Sequence, residues 1–332
     1  MIAFQTCQPS YPKRKRTGTL ETGDFVTILL LKPRNSAMAD ESADTQTAGV
    51  VPARNFRASA RLHLQHMLFQ NTLGYLLEPH VQDLIANADS QIKVADLGCG
   101  NGVWLCDLES ELLRRGVSYQ LDGYDISSAN FPAAAFLPQS VTLKKLDVIG
   151  QPPPEDAIGA YDVVHVRAFA SSILHSNVAP LLSTALALLK PGGWLQWEEA
   201  RVDLFTVESP SPEISKAACT TIDHVIKAGG AATGLVFEYL GQLDQHVKQH
   251  GFDNVHKEET AKRGRDLKAW TEDYLMVWEE LASRFPTKAQ APQAPMTRET
   301  WIDLFARAVQ ETEAGVVVHQ QQIATVVGQK PV

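Results

Sequence analysis

The sequence predicts an α/β fold, a mostly parallel sheet with helices on both faces and helical cap segments at its amino and carboxyl ends. Three observations lead there. Strand-like and helix-like patterns alternate five times between Val94 and Trp197, and that alternation builds a parallel sheet covered on both sides. The first strand runs into a glycine-rich turn, Asp96-Leu97-Gly98-Cys99-Gly100-Asn101-Gly102. Aspartates follow at the ends of the first three strands, Asp96, Asp125 and Asp147. Acids gathered at one sheet edge describe a sheet that receives a ligand at its carboxyl end.

The elements follow in order. Residues 1–53 mix Pro, Ser, Thr, Gly and charge without periodicity and read as a disordered leader. Residues 54–331 form one domain: cap helices over 54–90, a ligand-binding core over 91–200, and helical lid insertions with closing strands over 201–331. In the cap, Phe56, Ala60, Leu64, Met67 and Leu68 recur at helical spacing, with Arg57, Arg61, His63 and His66 on the flanks. Pro79 opens a second helix running to about Ala88. After the glycine turn, Leu105, Leu108 and Leu112 mark a helix that stops at Arg114-Arg115-Gly116. Strands follow at about Tyr119–Tyr124, Val141–Leu146 and Tyr161–Val166. Asn177 caps the next helix, and Lys190-Pro191-Gly192-Gly193 turns it into a strand that ends at Glu198-Glu199.

Beyond Ala200 the pattern becomes helical. Ser211-Pro212-Glu213 starts one helix, with Ser as N-cap and Pro in the first turn, and a second covers about Phe237 to Gln249. Phe252–Glu259 is a sixth strand. Trp270, Tyr274, Leu275, Trp278 and Leu281 share a helical face, either core or the wall of an aromatic pocket. A helix at Arg298–Glu313 and a last strand at Ile323–Val327 complete the chain.

Composition narrows the function. With 332 residues, 44% hydrophobic and 20% charged, the chain can bury a sizeable core. A formal net charge of −8 argues against a general nucleic-acid binder, which needs a basic surface. Four cysteines without C-x-x-C or zinc-like spacing read as free thiols in a reducing compartment. The longest early apolar run, Phe25–Leu31, is too short to span a bilayer. A cytoplasmic protein is expected, with nuclear import as an option through the basic Lys13-Arg14-Lys15-Arg16 run.

The glycine turn selects the cofactor. A dinucleotide fingerprint, G-x-G-x-x-G, would place its third glycine where Val103 stands; here it falls one residue earlier, at Gly102. Asp96 just before the glycines would repel a pyrophosphate and suits a cofactor with cationic ammonium and sulfonium groups. S-adenosylmethionine is such a cofactor. Asp125, 23 residues beyond Gly102, is placed to accept both ribose hydroxyls, and Asp147 an adenine amino group. The expected cofactor site is Asp96, Gly98, Cys99, Gly100, Gly102, Asp125, Ile126, Asp147, Val148 and Arg167. Arg167 could meet the cofactor's carboxylate or a substrate anion, or pair with a surface acid. If a general base is used, His165, His66 and Glu198 are the candidates, with Glu199 beside them. His165 lies inside a strand, where alternation could instead turn it into packing. No metal is expected.

These motifs resemble the class I S-adenosylmethionine-dependent methyltransferases: Asp96–Gly102, Asp125, Asp147 and Lys190–Gly193 fall in the family's order over about residues 90–200. Arg61–His66, Tyr161–Arg167 and Pro191–Glu198 are further similar to methyltransferases of filamentous-fungal secondary-metabolite gene clusters. The resemblance implies a Rossmann-like seven-stranded sheet with an antiparallel closing strand, and a small-molecule natural product as substrate. Methyl transfer to oxygen or nitrogen is the activity expected. Two other readings stay open: a nuclear S-adenosylmethionine-binding regulator of secondary metabolism, and a cofactor-assisted cyclisation or rearrangement without methyl loss.

Overall fold

The computed structural model describes residues 55–87 and 90–332. The expected leader, its basic run and its apolar run lie outside the described residues. Among these residues no helix is long and apolar enough to cross a membrane.

Helix α1 (Phe56–Leu73) starts at Asn55, whose side chain accepts from the N–H groups of Arg57 and Ala58 at 3.0 Å each, and stops at Gly74 with φ +82°. Its buried face is not the apolar stripe expected. Phe56 and Met67 are exposed, while Arg61 and His66 are buried with Ala58, Leu68 and Phe69. The helix packs on a mixed surface: Leu68 and Phe69 meet Trp270 and Ile323, while His66 faces Asp107 and Arg167. Helix α2 (Pro79–Ala86) opens on Pro79, as expected, and ends two residues early.

The core alternates β1 (Ile92–Leu97), α3 (Val103–Arg115), β2 (Tyr119–Asp125), β3 (Val141–Lys145), β4 (Tyr161–Arg167), α4 (Ala179–Leu188) and β5 (Leu189–Ala200). Short strand β6 (Phe205–Glu208), helices α5 (Ala217–Ala232) and α6 (Leu243–Gln249), and strand β7 (Asp253–Ala261) follow. Helices α7 (Leu267–Leu281) and α8 (Arg298–Glu313) then lead to β8 (Val317–Gln320) and β9 (Gln322–Gln329). Seven strands form the main sheet in the order β3-β2-β1-β4-β5-β9-β7. β1 to β5 pair in parallel, and β9 runs antiparallel between β5 and β7. The Rossmann-like sheet with its antiparallel closing strand is therefore present.

Three expectations needed correction. Ser211-Pro212-Glu213 forms a turn, and α5 begins only at Ala217. A Ser-Pro-Glu run suits a tight turn as well as a helix start. Asn177 accepts from the Ala179 N–H at 3.3 Å, but Val178 is the residue that flanks α4. The lid is not wholly helical: β6 and β8 pair into a separate two-stranded sheet.

Apolar clusters occupy both faces of the main sheet. One contains Ala95, Leu97, Val164, Val166, Leu195 and Trp197; the other contains Val94, Val163, Trp194, Trp104, Leu105 and Leu108. The lid has its own cluster, in which Trp278, Trp301, Phe285 and Ile222 meet. Of the α7 stripe, Trp278 is packed in this lid core, and Trp270 in a separate cluster with Leu68 and Phe69 of α1.

Candidate active site

The turn after β1 is closed by backbone hydrogen bonds. The N–H groups of Gly98 and Cys99 donate to the Tyr124 carbonyl at 2.7 and 3.0 Å, and Gly102 N–H donates to the Cys99 carbonyl at 2.8 Å. Gly98, Gly100 and Gly102 have φ of +76°, +58° and +75°, a region glycine enters without the usual penalty. A Cβ on Gly98 would lie 2.7 Å from the Phe169 ring, and one on Gly100 would lie 3.1 Å from Leu62 of α1. The turn is roofed by α1 and by the loop that follows β4.

Asp125 ends β2 beside this turn. Its carboxylate accepts from Gly100 N–H at 3.0 Å and from Ser127 N–H at 2.9 Å, which fixes its position, and Ile126 follows directly. Asp147 lies just past Lys145, the β3 partner of Asp125, so the two acids share the sheet edge. Asp147 Oδ1 accepts from the N–H groups of Ile149 and Gly150 at 3.1 and 2.9 Å, and Val148 is buried. Cys99 is buried, and burial, with Asp96 and Asp125 adding repulsion, pushes its thiol well up. It is a small packing residue rather than a reactive thiolate.

A buried polar network underlies the same edge. Asp96, His165 and Gln196 stand side by side on β1, β4 and β5, with Arg167 opposite Glu198 one step further along. Because side chains alternate along a strand, all five face the side covered by α1 and α3. His165 is fully buried, its Nδ1 is 2.8 Å from Asp96 Oδ1 and its Nε2 is 3.5 Å from Glu198 Oε2. Its ring stacks on Trp104 of α3 at 3.6 Å between centroids. Arg167 Nε donates to Glu198 at 2.6 Å, while its Nη1 lies 3.0 Å from His66 Nδ1. His66 Nε2 lies 2.9 Å from Asp107. Gln196 donates to Glu198 at 2.7 Å.

This geometry changes the expected roles. His165, His66 and Glu198 form one interlocked chain, and none stands as a lone base at the edge. Arg167 is turned into this chain, paired with a buried acid rather than a surface one. Burial is the largest influence on Glu198 and raises its pKa, but Arg167 and His165 together outweigh it and hold the carboxyl below its usual range. Burial, reinforced by Arg167, lowers the pKa of His66, which favours the neutral imidazole.

Glu199 projects to the other sheet face. It accepts from Phe169 N–H at 2.5 Å and from Trp197 Nε1 at 3.0 Å, and burial pushes its carboxyl up to about 8. It therefore anchors the loop that lays Phe169 over Gly98. Sequence reading also missed the docking of α1 on the turn, where Asn101 Nδ2 reaches His63 Nδ1 at 2.8 Å and the Ser59 carbonyl at 3.3 Å. The only signal was the polar residues of α1 itself.

A family described as "Methyltransferase domain" matches residues 69–257, more than half the chain, and the chain belongs to that family. It is 32% identical over 181 residues to the methyltransferase grgD of a Penicillium species, a match covering 53% of this chain and 60% of grgD. It is 31% identical over 210 residues to the N-methyltransferase tcpN of Claviceps purpurea, covering 60% of this chain and 70% of tcpN. The match to grgD thus spans less than two thirds of that relative. Among solved structures, the chain is similar to phosphoethanolamine N-methyltransferase 2 of Haemonchus contortus. That similarity has a TM-score of 0.41 and 16% identity, and it covers 76% of this chain and 52% of the other.

S-adenosylmethionine is the cofactor of this domain family, and the residues present fit it. The three positive-φ glycines let the chain turn tightly at the end of β1, with Phe169, Leu62 and Leu143 packed against them. Asp125 is held in place by two backbone donors at the strand end where a ribose would be read.

Proposed function

We propose that the protein transfers the methyl group of S-adenosylmethionine to an oxygen or nitrogen of a small molecule of secondary metabolism, in the cytoplasm. The observation behind this reading is the Gly98–Gly102 turn, bonded through Gly100 to Asp125 and roofed by α1 and Phe169. In this reading Asp125 and Ile126 receive the ribose, Asp147 and Val148 the adenine side, and the glycines the amino-acid end. The cofactor supplies a sulfonium leaving group, so the protein's task is orientation and exclusion of water. Orientation of this kind is worth about 7–11 kcal/mol in favourable cases.

The interlocked histidines bear on the acceptor. A buried, neutral His66 could take a proton from a hydroxyl acceptor only if the Asp107–His66–Arg167 contacts open. An amine that arrives unprotonated needs no base at all. His165, clamped between Asp96 and Glu198, serves to position the edge. The name of the relative tcpN, an N-methyltransferase, favours nitrogen among the two acceptors.

The test is comparative metabolite profiling of the source organism with and without the gene, after feeding methyl-deuterated methionine. The reading expects a product that bears a trideuteromethyl group and vanishes on deletion, with an unmethylated precursor accumulating. Loss of a product that never incorporated the label would favour cyclisation or rearrangement. A general loss of many metabolite classes, reproduced by removing only the Lys13–Arg16 run, would favour the nuclear regulator.

A further inference from the structure

Backbone strain gathers in the loop 168–177, which joins β4 to α4. Among the described residues, four that are not glycine have positive φ: Ala168 at +52°, His175 at +53°, Ser176 at +55° and Asn254 at +47°. Three of these lie in this loop. Such conformations are costly for a residue with a Cβ, and they persist where surrounding contacts over-determine them.

The contacts come from three parts of the molecule. At the β4 end, Ala168 N–H donates to the Glu198 carbonyl at 3.0 Å and Phe169 N–H to the Glu199 carboxylate, so β5 holds the backbone. From that hold the Phe169 ring lies on Gly98 of the glycine turn. In the middle, the N–H groups of Ser172 and Ile173 donate to the carbonyls of Phe169 and Ala170 at 2.9 and 3.2 Å. That closes a single turn, and Ile173 is sunk in the core at 1% exposure. At the α4 end, His175 N–H donates to the Gly234 carbonyl at 2.6 Å. Gly234 stands just beyond α5 with φ +82°, and a Cβ there would lie 2.6 Å from His175 Nδ1 and 2.7 Å from its Nε2. Glycine at this position lets the His175 ring seat directly on the backbone. The α5 helix is in turn built into the lid core through Cys219 and Ile222, beside Trp278 and Trp301.

The loop is therefore a strap with one end on the glycine turn and the other on the lid. The hydrogen-bonded turn between them leaves it little slack. Packed parts of this kind move between discrete arrangements, so the seating of one end bears on the other. We propose that residues 168–177 couple the lid to the glycine turn, with His175 as a positioning residue whose seat on Gly234 holds Phe169 against Gly98. The proposal rests on the reading of that turn as the S-adenosylmethionine site. A cofactor packed beside Phe169 settles the strap and, through His175, the end of α5. By reciprocity, loosening His175 weakens the hold on the cofactor, although its own seat is on the lid.

Hydrogen exchange of the full chain, read by mass spectrometry with and without S-adenosylhomocysteine, tests the coupling. His175 is exposed, so His175→Asn removes the ring without opening the core, and asparagine accepts a positive φ. In the free protein this variant should exchange faster at residues 231–235 and also at Phe169, Ala170 and Gly98, with α8 unchanged. In the wild type, S-adenosylhomocysteine should slow exchange at 231–235 as well as at the glycine turn. Calorimetry should show S-adenosylhomocysteine binding His175→Asn roughly fivefold or more weakly than wild type. That difference should vanish when both proteins also carry Phe169→Ala, because the strap acts through that ring. Gly234→Ala strikes the same seat from the lid side and should reproduce the pattern; if it fails to fold, His175→Asn decides alone. Faster exchange confined to 231–235, with Phe169 and Gly98 as in the wild type, would overturn the proposal. A wild type that binds no S-adenosylhomocysteine would count against the cofactor reading, while exchange in the free protein would still judge the strap.

Discussion

Gly98 answers to two constraints at once: a φ of +76° and a Phe169 ring 2.7 Å from where a Cβ would stand. Gly98→Ala should cost about 1–3 kcal/mol of stability from the backbone alone, seen as a lower denaturant midpoint, and should weaken S-adenosylmethionine binding further by displacing Phe169. Arg167 and Glu198 are coupled differently. Removing one member of a buried pair strands the other, so Arg167→Leu should destabilise by about 3–5 kcal/mol in urea unfolding, and adding Glu198→Gln should return part of the loss. At this scale the sequence was partly legible. The glycines and Asp125 were readable because their chemistry is local: a positive φ, a strand end, a spacing. His165, His66 and Arg167 were recognisable as polar residues at the right edge, but their partners lie 31 to 101 positions away. Spacing along one chain does not reveal which acid each would find.

Elements defined by strong local signals were read to the residue. α8 spans Arg298–Glu313 as expected, since Thr297 accepts from Thr300 N–H at 3.3 Å and sets its start. Elements that depend on a distant partner were not. β6 and β8 have four residues each and exist only because they pair across more than a hundred positions. The α5 start was misplaced for a similar reason: Glu311 of α8 supplies its cap, accepting from the Ala218 and Cys219 N–H groups at 3.0 and 2.9 Å. Burial would raise the Glu311 pKa, but those donors prevail and hold it below its usual value. Glu311→Ala should therefore cost about 1–3 kcal/mol by stranding those donors, measured by chemical unfolding. With the folded pKa depressed, the Glu311 contribution is present above the ordinary carboxylate range and fades as pH falls through it. The wild type should lose its advantage over Glu311→Ala on acidification. The cap helix α1 shows the same limit from the other side. Its apolar residues predicted only part of the buried face because the surface it covers is mixed: Leu68 meets Trp270 and Ile323, while His66 meets Asp107 and Arg167.

Across the whole molecule, two buried carboxyls set the response to pH. Glu199 is pushed from 4.5 up to about 8 and Asp273 from 3.8 up to about 6, burial being the main cause for both. A raised folded pKa means the native state keeps protons that the unfolded chain has released. Their contribution is complete below the ordinary carboxylate range and is lost as pH rises, through about 6 for Asp273 and about 8 for Glu199. The melting temperature should fall between mildly acidic and mildly alkaline buffer. Glu199→Gln should flatten the upper part of that slope and Asp273→Asn the lower part. The overall architecture was the most legible feature, because five strand–helix alternations and a glycine turn constrain a parallel sheet tightly. The lid was least legible, since it encloses a core of its own around Trp278 and Trp301. The central claim is that the Gly98–Gly102 turn and Asp125 together hold S-adenosylmethionine. Calorimetric titration of that cofactor into wild type and Asp125→Asn tests it most directly. Saturable one-site binding by the wild type, weakened at least about tenfold in a variant that melts at a similar temperature, is the result predicted from loss of charge-assisted hydrogen bonds. No binding to the wild type, or equal affinity in the two proteins, would contradict it.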